Sequence, residues 1–122
     1  MELSKQDQEY WDIKEAFNNQ LATFVEEFKL ELTNQKLSAG AINGYIRVST
    51  AFVNHIKGYT EHIRFEDISV PNANSKFLAH VKWEGLSDWN PKEIKAKLLT
   101  FIEFLDSKGL HNERVLESFL KK

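Results

Sequence analysis

The sequence predicts an all-α protein, a compact bundle of four to five helices that fold as a single domain over residues 1–122. Through most of the chain, apolar residues recur at spacings of three and four, as one face of a helix requires. No segment of useful length alternates apolar and polar residues, and the run from Phe65 to Val70 is the only candidate strand. Short connections favour two helical hairpins packed across each other, with a terminal helix closing the core.

A long first helix is predicted from its apolar stripe and its start signal. Ser4 can cap the helix by accepting hydrogen bonds from backbone amides, and Asp7 occupies the acidic position of a capping box. The helix should end near Asn34. Its buried face should consist of Ile13, Phe17, Leu21, Phe24, Val25, Phe28 and Leu32.

A second helix should begin after Ser38, which is the next capping residue, and should run to Gly58. Its apolar face should consist of Ile42, Tyr45, Ile46, Phe52, Val53 and Ile56. Residues 64–71 then break the periodicity, because Pro71 lacks an amide hydrogen and disfavours helix at Val70. This segment is predicted to be a connector.

A shorter third helix is predicted from Ser75 to Gly85. The fourth helix has the clearest start, because Asn90 can cap it and Pro91 suits the first helical position. Gly109 can adopt the left-handed conformation that closes this helix, and Asn112 should open the last one. The buried faces of these two helices should consist of Ile94, Leu98, Phe101, Ile102 and Leu105, followed by Val115, Leu116, Phe119 and Leu120.

The charge is unevenly distributed, although the net charge is only -2. Residues 1–37 hold eight acids and four bases, whereas residues 38–64 hold three bases and one acid. Residues 91–122 hold seven bases and five acids, so an anionic partner should prefer the later segments. The chain has no cysteine and no apolar run long enough for a signal peptide or a membrane span, so a cytoplasmic location is expected.

The sequence lacks a constellation of residues typical of catalysis. His111 and Arg114 match the His-x-x-Arg spacing of recombinase active sites, but only eight residues follow and none is a tyrosine, so a helix start explains these residues better. No two histidines lie three or four positions apart beside an acid, as a metal site on one helix requires. We therefore expect a protein that is not an enzyme and that binds no metal or cofactor.

A basic cluster at the start of the fourth helix is the first candidate binding site. Lys92 and Lys95 share one face and Lys97 lies to the side, near the helix end whose free amides attract anions. Glu93 lies among these lysines, which keeps open the alternative of an ordinary solvated helix face. Arg47 on the second helix is the other candidate for an anion contact.

The tryptophans allow two interpretations. Trp83 and Trp89 could stack on nucleic-acid bases, but aromatic residues at helix junctions more often support the core. Trp11, near the start of the chain, could instead lie on an exposed patch for a protein partner.

The run from Gln35 to Tyr45, with Leu37-Ser38, Ile42 and Tyr45 and the later Phe52 and Ile56, resembles the amino-terminal core-binding domain of tyrosine recombinases and phage integrases. The order of parts is also similar: a long first helix precedes this motif, a connector like residues 65–69 follows it, and residues 94–110 resemble a later helix of the family. The similarity covers roughly residues 20–110. Ala41 departs from the family, which usually has threonine there.

The resemblance implies a SAM-like helical domain that clamps one side of duplex DNA in DNA integration and recombination. It implies no catalytic residues here, because the chemistry of the family lies in a separate carboxy-terminal domain. Ser38 matches the serine at the start of the second helix, and Arg47 lies where a polar face toward the DNA is expected. The implied DNA-binding residues are Ser38, Asn43, Arg47, Lys92, Lys95 and Lys97.

The functional hypothesis is therefore a nonenzymatic DNA-binding module. Three interpretations of the missing catalytic domain stay open: a fragment, an independent DNA-binding relative, or a reused scaffold. In the last case the chain would act through a protein partner, for example as an accessory or inhibitory factor of a mobile element.

Overall fold

The computed structural model of the chain describes residues 5–58, 64–73, 75–81, 86 and 89–120. Every regular element among these residues is helical, which confirms the predicted all-α class. Ser4, Trp83 and Gly85, to which the sequence assigned roles, lie outside the described residues. The elements are α1 (Lys5–Asn34), α2 (Ala39–Lys57), a 3-10 helix (Phe65–Asp67), α3 (Val70–Ala73), α4 (Ser75–His80), α5 (Pro91–Ser107) and α6 (Glu113–Leu120).

The corner between α1 and α2 is short and closed by local hydrogen bonds. Lys36 has a φ of 60° and donates its amide to the carbonyl of Thr33 at 3.0 Å, while the Leu37 amide reaches the carbonyl of Leu32 at 3.5 Å. This is the left-handed arrangement that ends many helices. One residue later, the Ser38 hydroxyl accepts a hydrogen bond from the Ala41 amide at 3.2 Å, which confirms the predicted cap of α2.

The segment between α2 and α5 differs from the prediction in the connector. The predicted connector contains the 3-10 helix and the start of α3, where Pro71 lies in the first turn. Proline is tolerated there because first-turn amides have no partner within the helix. The predicted third helix begins at Ser75 as expected, and α4 ends at His80. The predicted end of that helix near Gly85 lies outside the described residues.

The caps of α5 and α6 follow the predicted pattern. The Asn90 side chain accepts from the Lys92 amide at 2.8 Å, Pro91 is the first helical residue, and Gly109 has a φ of 95°. The Asn112 side chain accepts from the Val115 amide at 3.1 Å. The side-chain amide of Asn112 also donates to two carbonyl oxygens near the 3-10 helix, so α6 is tied to a segment more than forty positions earlier.

The core lies where α2 packs against both α1 and α5. Phe28 is at its centre, with ring centroids 6.1 Å from Tyr45, 5.2 Å from Phe101 and 5.1 Å from Phe104. The predicted apolar faces of α1, α2 and α5 supply most of the buried side chains. Among the helices that the structure describes, none has both the length and the apolar character needed to cross a membrane.

Candidate nucleic-acid interface

A row of polar residues occupies the exposed face of α2. Its members are spaced by three and four positions, as one helix face requires. All of them are exposed, and the sequence of α2 contains no Asp or Glu. We call this row the α2 polar stripe: Asn43, Arg47, Thr50, Asn54 and Lys57.

An open groove runs between α2 and the start of α5, and we call it the α2–α5 groove. It is lined by Gly40, Gly44, Trp89, Asn90, Glu93 and Lys97. Gly40 lies in the first turn of α2 and Asn90 caps α5, so the amino-terminal ends of both helices border one groove.

Gly44 lies where α2 faces Lys97 and Trp89. A Cβ atom at this position would lie 3.4 Å from the Cε of Lys97 and 3.6 Å from the Trp89 ring, whereas one at Gly40 would meet nothing within 4 Å. Because Gly44 has no side chain, its backbone forms the floor of the groove.

Two cations at the groove lie over aromatic rings. The Arg47 guanidinium is 5.2 Å from the centroid of the Trp89 ring, and the Lys97 ammonium is 4.4 Å from the centroid of the Tyr45 ring. The first pair joins α2 to the residue before the cap of α5, and the second joins α2 to α5 itself. A cation over an aromatic face at a partly exposed site contributes about 0.5–1 kcal/mol, which restricts the positions these long side chains adopt.

The structure places Lys97 in the groove and Arg47 over Trp89, which lines the groove, but it separates both from Lys95. Because Lys95 and Lys97 are two residues apart, they point about 200° apart around α5. Lys97 faces α2, so Lys95 lies on the flank away from α2, where it is half-buried. Lys92 is exposed in the first turn of α5, three residues before Lys95 and therefore on a similar face.

The remaining two sequence-derived residues lie on α2 or at its start. Asn43 is exposed on the side of α2 that faces α1, where it lines a shallow depression with Lys29 and Thr33. Ser38 is exposed, and its hydroxyl oxygen is engaged in capping α2. A ligand at Ser38 would therefore have to share that oxygen with the Ala41 amide.

Glu93 places a carboxylate in the groove beside Lys97, one helical turn away. It lies in the first turn of α5, where a negative charge is favourable because of the helix dipole. The same charge opposes an anionic ligand. The groove is thus polar and mixed in charge.

Sequence reasoning missed part of this surface. Thr50, Asn54 and Lys57 continue the spacing of Asn43 and Arg47, so the helical period was a signal that could have identified them. Tyr45 and Trp89 were assigned to the apolar face and the helix junction, and they are indeed half-buried against the core. Their contact with the cations depends on how α2 packs on α5, which no local pattern reveals.

The His-x-x-Arg sequence has a structural explanation. His111 Nδ1 forms a short hydrogen bond with Asp106 Oδ1, Asn112 caps α6, and Arg114 is exposed on α6. The hydrogen bond to Asp106 raises the pKa of His111 above its usual value, and the charges of Asp106 and Glu113 add to this effect.

No protein-family model matches the chain, and no curated protein or solved structure is significantly similar to it. Function must therefore be argued from the surface itself.

Proposed function

We propose that the chain is a nonenzymatic DNA-binding module, of the kind represented by the core-binding domain of tyrosine recombinases, and that it binds duplex DNA through the α2 polar stripe and the α2–α5 groove. The observation that carries the proposal is the acid-free stripe, which presents Asn, Arg, Thr and Lys side chains on one exposed helix face. These residue types make most protein contacts to base edges and phosphates.

The dimensions of the stripe suit a helix lying against the major groove. Asn43 and Lys57 are separated by about 21 Å along the helix axis, whereas the major groove is about 12 Å wide. The residues in the middle of the stripe would therefore reach base edges, and those at its ends would contact phosphates. Arg47, held over Trp89, would form the bidentate contact that arginine makes with guanine.

The lysines of α5 extend the positive surface beyond the stripe. Lys97 borders the groove, and Lys92 is exposed at the start of α5, the positive end of the helix dipole. Ammonium groups at such a helix end bind phosphate without regard to sequence. Because the net charge is -2, we expect nonspecific binding to DNA to be weak. Because the contacts join cations to phosphates, we expect the DNA affinity to decrease strongly as the salt concentration rises.

Titration of the full chain with a duplex at low ionic strength tests the proposal. Amide resonances around Ser38, Arg47 and Lys97 should shift, and the triple variant Lys92→Ala, Lys95→Ala, Lys97→Ala should bind much more weakly. A matched control, Lys5→Ala, Lys76→Ala, Lys108→Ala, removes three exposed lysines from other helices and from the far end of α5. The proposal fails if these amides do not shift or if both triple variants lose affinity equally.

A protein partner is the second candidate function, because α1 exposes large apolar side chains. Trp11 is 46% exposed, Ile13 48% and Leu30 65%. Exposed apolar groups of this size are typical of interaction surfaces. Affinity capture from nuclease-treated extract distinguishes the two: a stoichiometric protein that is lost with Trp11→Ala and Ile13→Ala favours this function, whereas a complex that nuclease destroys favours DNA binding.

A further inference from the structure

Two histidines from different helices meet on the side of α2 where α4 packs. The ring centroids of His55 and His80 are 5.0 Å apart, and the ring planes are tilted by 45°. His55 is only 5% exposed, whereas His80, the last residue of α4, is half-buried. Because the two residues are far apart in sequence, the spacing rules that predict metal sites on a single helix could not detect this pair.

The separation of the rings suits shared coordination of one ion. Two imidazole nitrogens about 2.0–2.1 Å from a tetrahedral Zn²⁺ place the ring centres about 5 Å apart. Each imidazole has two nitrogens, so a ring that is hydrogen-bonded through one nitrogen can coordinate an ion through the other. Ligation of this kind usually includes such a hydrogen bond, because it orients the ring.

His55 lies on the apolar side of the pair and His80 on the side nearer to solvent. The Phe77 ring lies 5.7 Å from His55 and 5.4 Å from Phe52, so His55 borders apolar side chains. The partial exposure of His80 leaves a route from solvent to the pair.

We infer that His55 and His80 form a two-imidazole site for a divalent ion of the zinc class, such as Zn²⁺, Ni²⁺ or Cu²⁺. Imidazole is a preferred ligand of these ions, whereas Mg²⁺ and Ca²⁺ prefer oxygen ligands. Within the described residues, no group of three or more potential ligands is present. Water would complete the coordination, and the ion would fasten α4 to α2.

The direct test is titration of the full chain with ZnCl₂, monitored through the imidazole ¹⁵N resonances of all four histidines. We expect the His55 and His80 resonances to shift together with increasing Zn²⁺. His80→Gln should lower the affinity by at least about tenfold. His111→Gln removes an exposed histidine at the α5–α6 corner and serves as the control, with affinity unchanged.

His55 is buried, so its replacement could unfold the protein. His80→Gln is the decisive variant because His80 is only half-buried. A second measurement is thermal unfolding with and without ZnCl₂. The wild-type midpoint should rise with Zn²⁺ concentration and the His80→Gln midpoint should not. The inference is overturned if Zn²⁺ shifts neither ring, shifts only the other histidines, or stabilises His80→Gln as much as wild type.

Discussion

Arg47 lies over the Trp89 ring at 5.2 Å, so the exposed face of α2 is tied to the residue that precedes the cap of α5. Gly44 lies beside this contact, and a Cβ there would be 3.6 Å from the Trp89 ring. The pair links the α2 polar stripe and the α2–α5 groove into one continuous surface. A substitution at Gly44 should therefore change the DNA affinity in a way that does not follow its effect on the unfolding free energy.

Gly44→Ala should stabilise the fold and weaken DNA binding. Alanine in a helix interior is favoured over glycine by about 0.5–1 kcal/mol, and the new Cβ makes ordinary contacts with Lys97 and Trp89. The same methyl group fills the groove floor. Urea unfolding should show the gain, and DNA affinity should fall by about tenfold if a phosphate contact in the groove is lost.

Gly40→Ala provides the comparison, because Gly40 also lines the groove but a Cβ there meets no other atom. It should raise stability by less, since Gly40 lies in the first turn of α2, and it should lower DNA affinity by less than Gly44→Ala does. Equal loss of affinity in both variants would show that the groove floor is not part of the interface.

Glu93→Gln should strengthen DNA binding. The substitution removes the carboxylate that lines the groove beside Lys97, so the repulsion of phosphate disappears. Affinity at low salt should rise by a few-fold, with a smaller gain at high salt. The unfolding free energy should fall by about 0.3–1 kcal/mol, because a negative charge in the first helical turn is lost.

Glu103→Gln removes the same charge from an exposed position ten residues later on α5. If only the net charge of the protein mattered, Glu93→Gln and Glu103→Gln would raise the DNA affinity equally. A gain in affinity that is clearly larger for Glu93→Gln would place the bound phosphate at the groove, and equal gains would argue against this position.

Asn112→Ala should destabilise the protein far more than removal of an ordinary cap. The Asn112 side chain is buried, donates to the carbonyls of Phe65 and Ile68 at 2.9 Å each, and accepts from the Val115 amide. The substitution removes the cap of α6 and leaves the carbonyls of Phe65 and Ile68 without this donor. The unfolding free energy should therefore fall by about 2–4 kcal/mol.

Asn90→Ala provides the comparison, because Asn90 is exposed and makes one capping hydrogen bond to the Lys92 amide. Asn90→Ala should lower the unfolding free energy by about 1 kcal/mol. Denaturant unfolding of both variants measures the difference. If the two losses were the same, the long-range hydrogen bonds of Asn112 would contribute nothing to stability.

The sequence was sufficient to predict the elements whose ends are set by local chemistry. Ser38, Asn90 and Asn112 act as caps, and Gly109 has the left-handed conformation expected of it, because each of these effects involves residues within one turn. The short helix α3 at the end of the predicted connector was missed since Pro71 can begin a helix as readily as it prevents one.

The candidate site could be predicted only in part for a related reason. The helical period places Asn43 and Arg47 on one face of α2, and it places Lys92 near Lys95 on α5. The contacts of Arg47 with Trp89 and of Lys97 with Tyr45 depend on the packing of two helices against each other. A single sequence contains no pattern from which such pairs can be identified.

Lys36→Gly should stabilise the α1–α2 corner. Lys36 has a φ of 60°, a conformation that costs a residue with a Cβ about 1 kcal/mol, and its side chain is exposed. Gly109 occupies the equivalent position after α5 with a φ of 95°. We expect the unfolding free energy to rise by about 0.5–1 kcal/mol for Lys36→Gly and to fall for Gly109→Ala. Changes of the same sign in both would contradict this account.

The His111 and Asp106 pair should make stability depend on pH. The hydrogen bond to Asp106 raises the pKa of His111 in the folded state, and Glu113 contributes through its charge. The protonated form is therefore stabilised by folding. Its contribution is fully present below the unfolded imidazole pKa of about 6.5 and is lost as the pH rises through the higher folded pKa.

Asp106→Asn tests this dependence, because it removes the main cause of the shift with little change in shape. The folded pKa of His111, followed by NMR, should move back toward its usual value. The unfolding free energy should fall more at pH 5.5 than at pH 8.5. In a His111→Gln background, Asp106→Asn should have the same effect at both pH values, since no imidazole remains to titrate. A pH-dependent effect in that background would assign the dependence to another group.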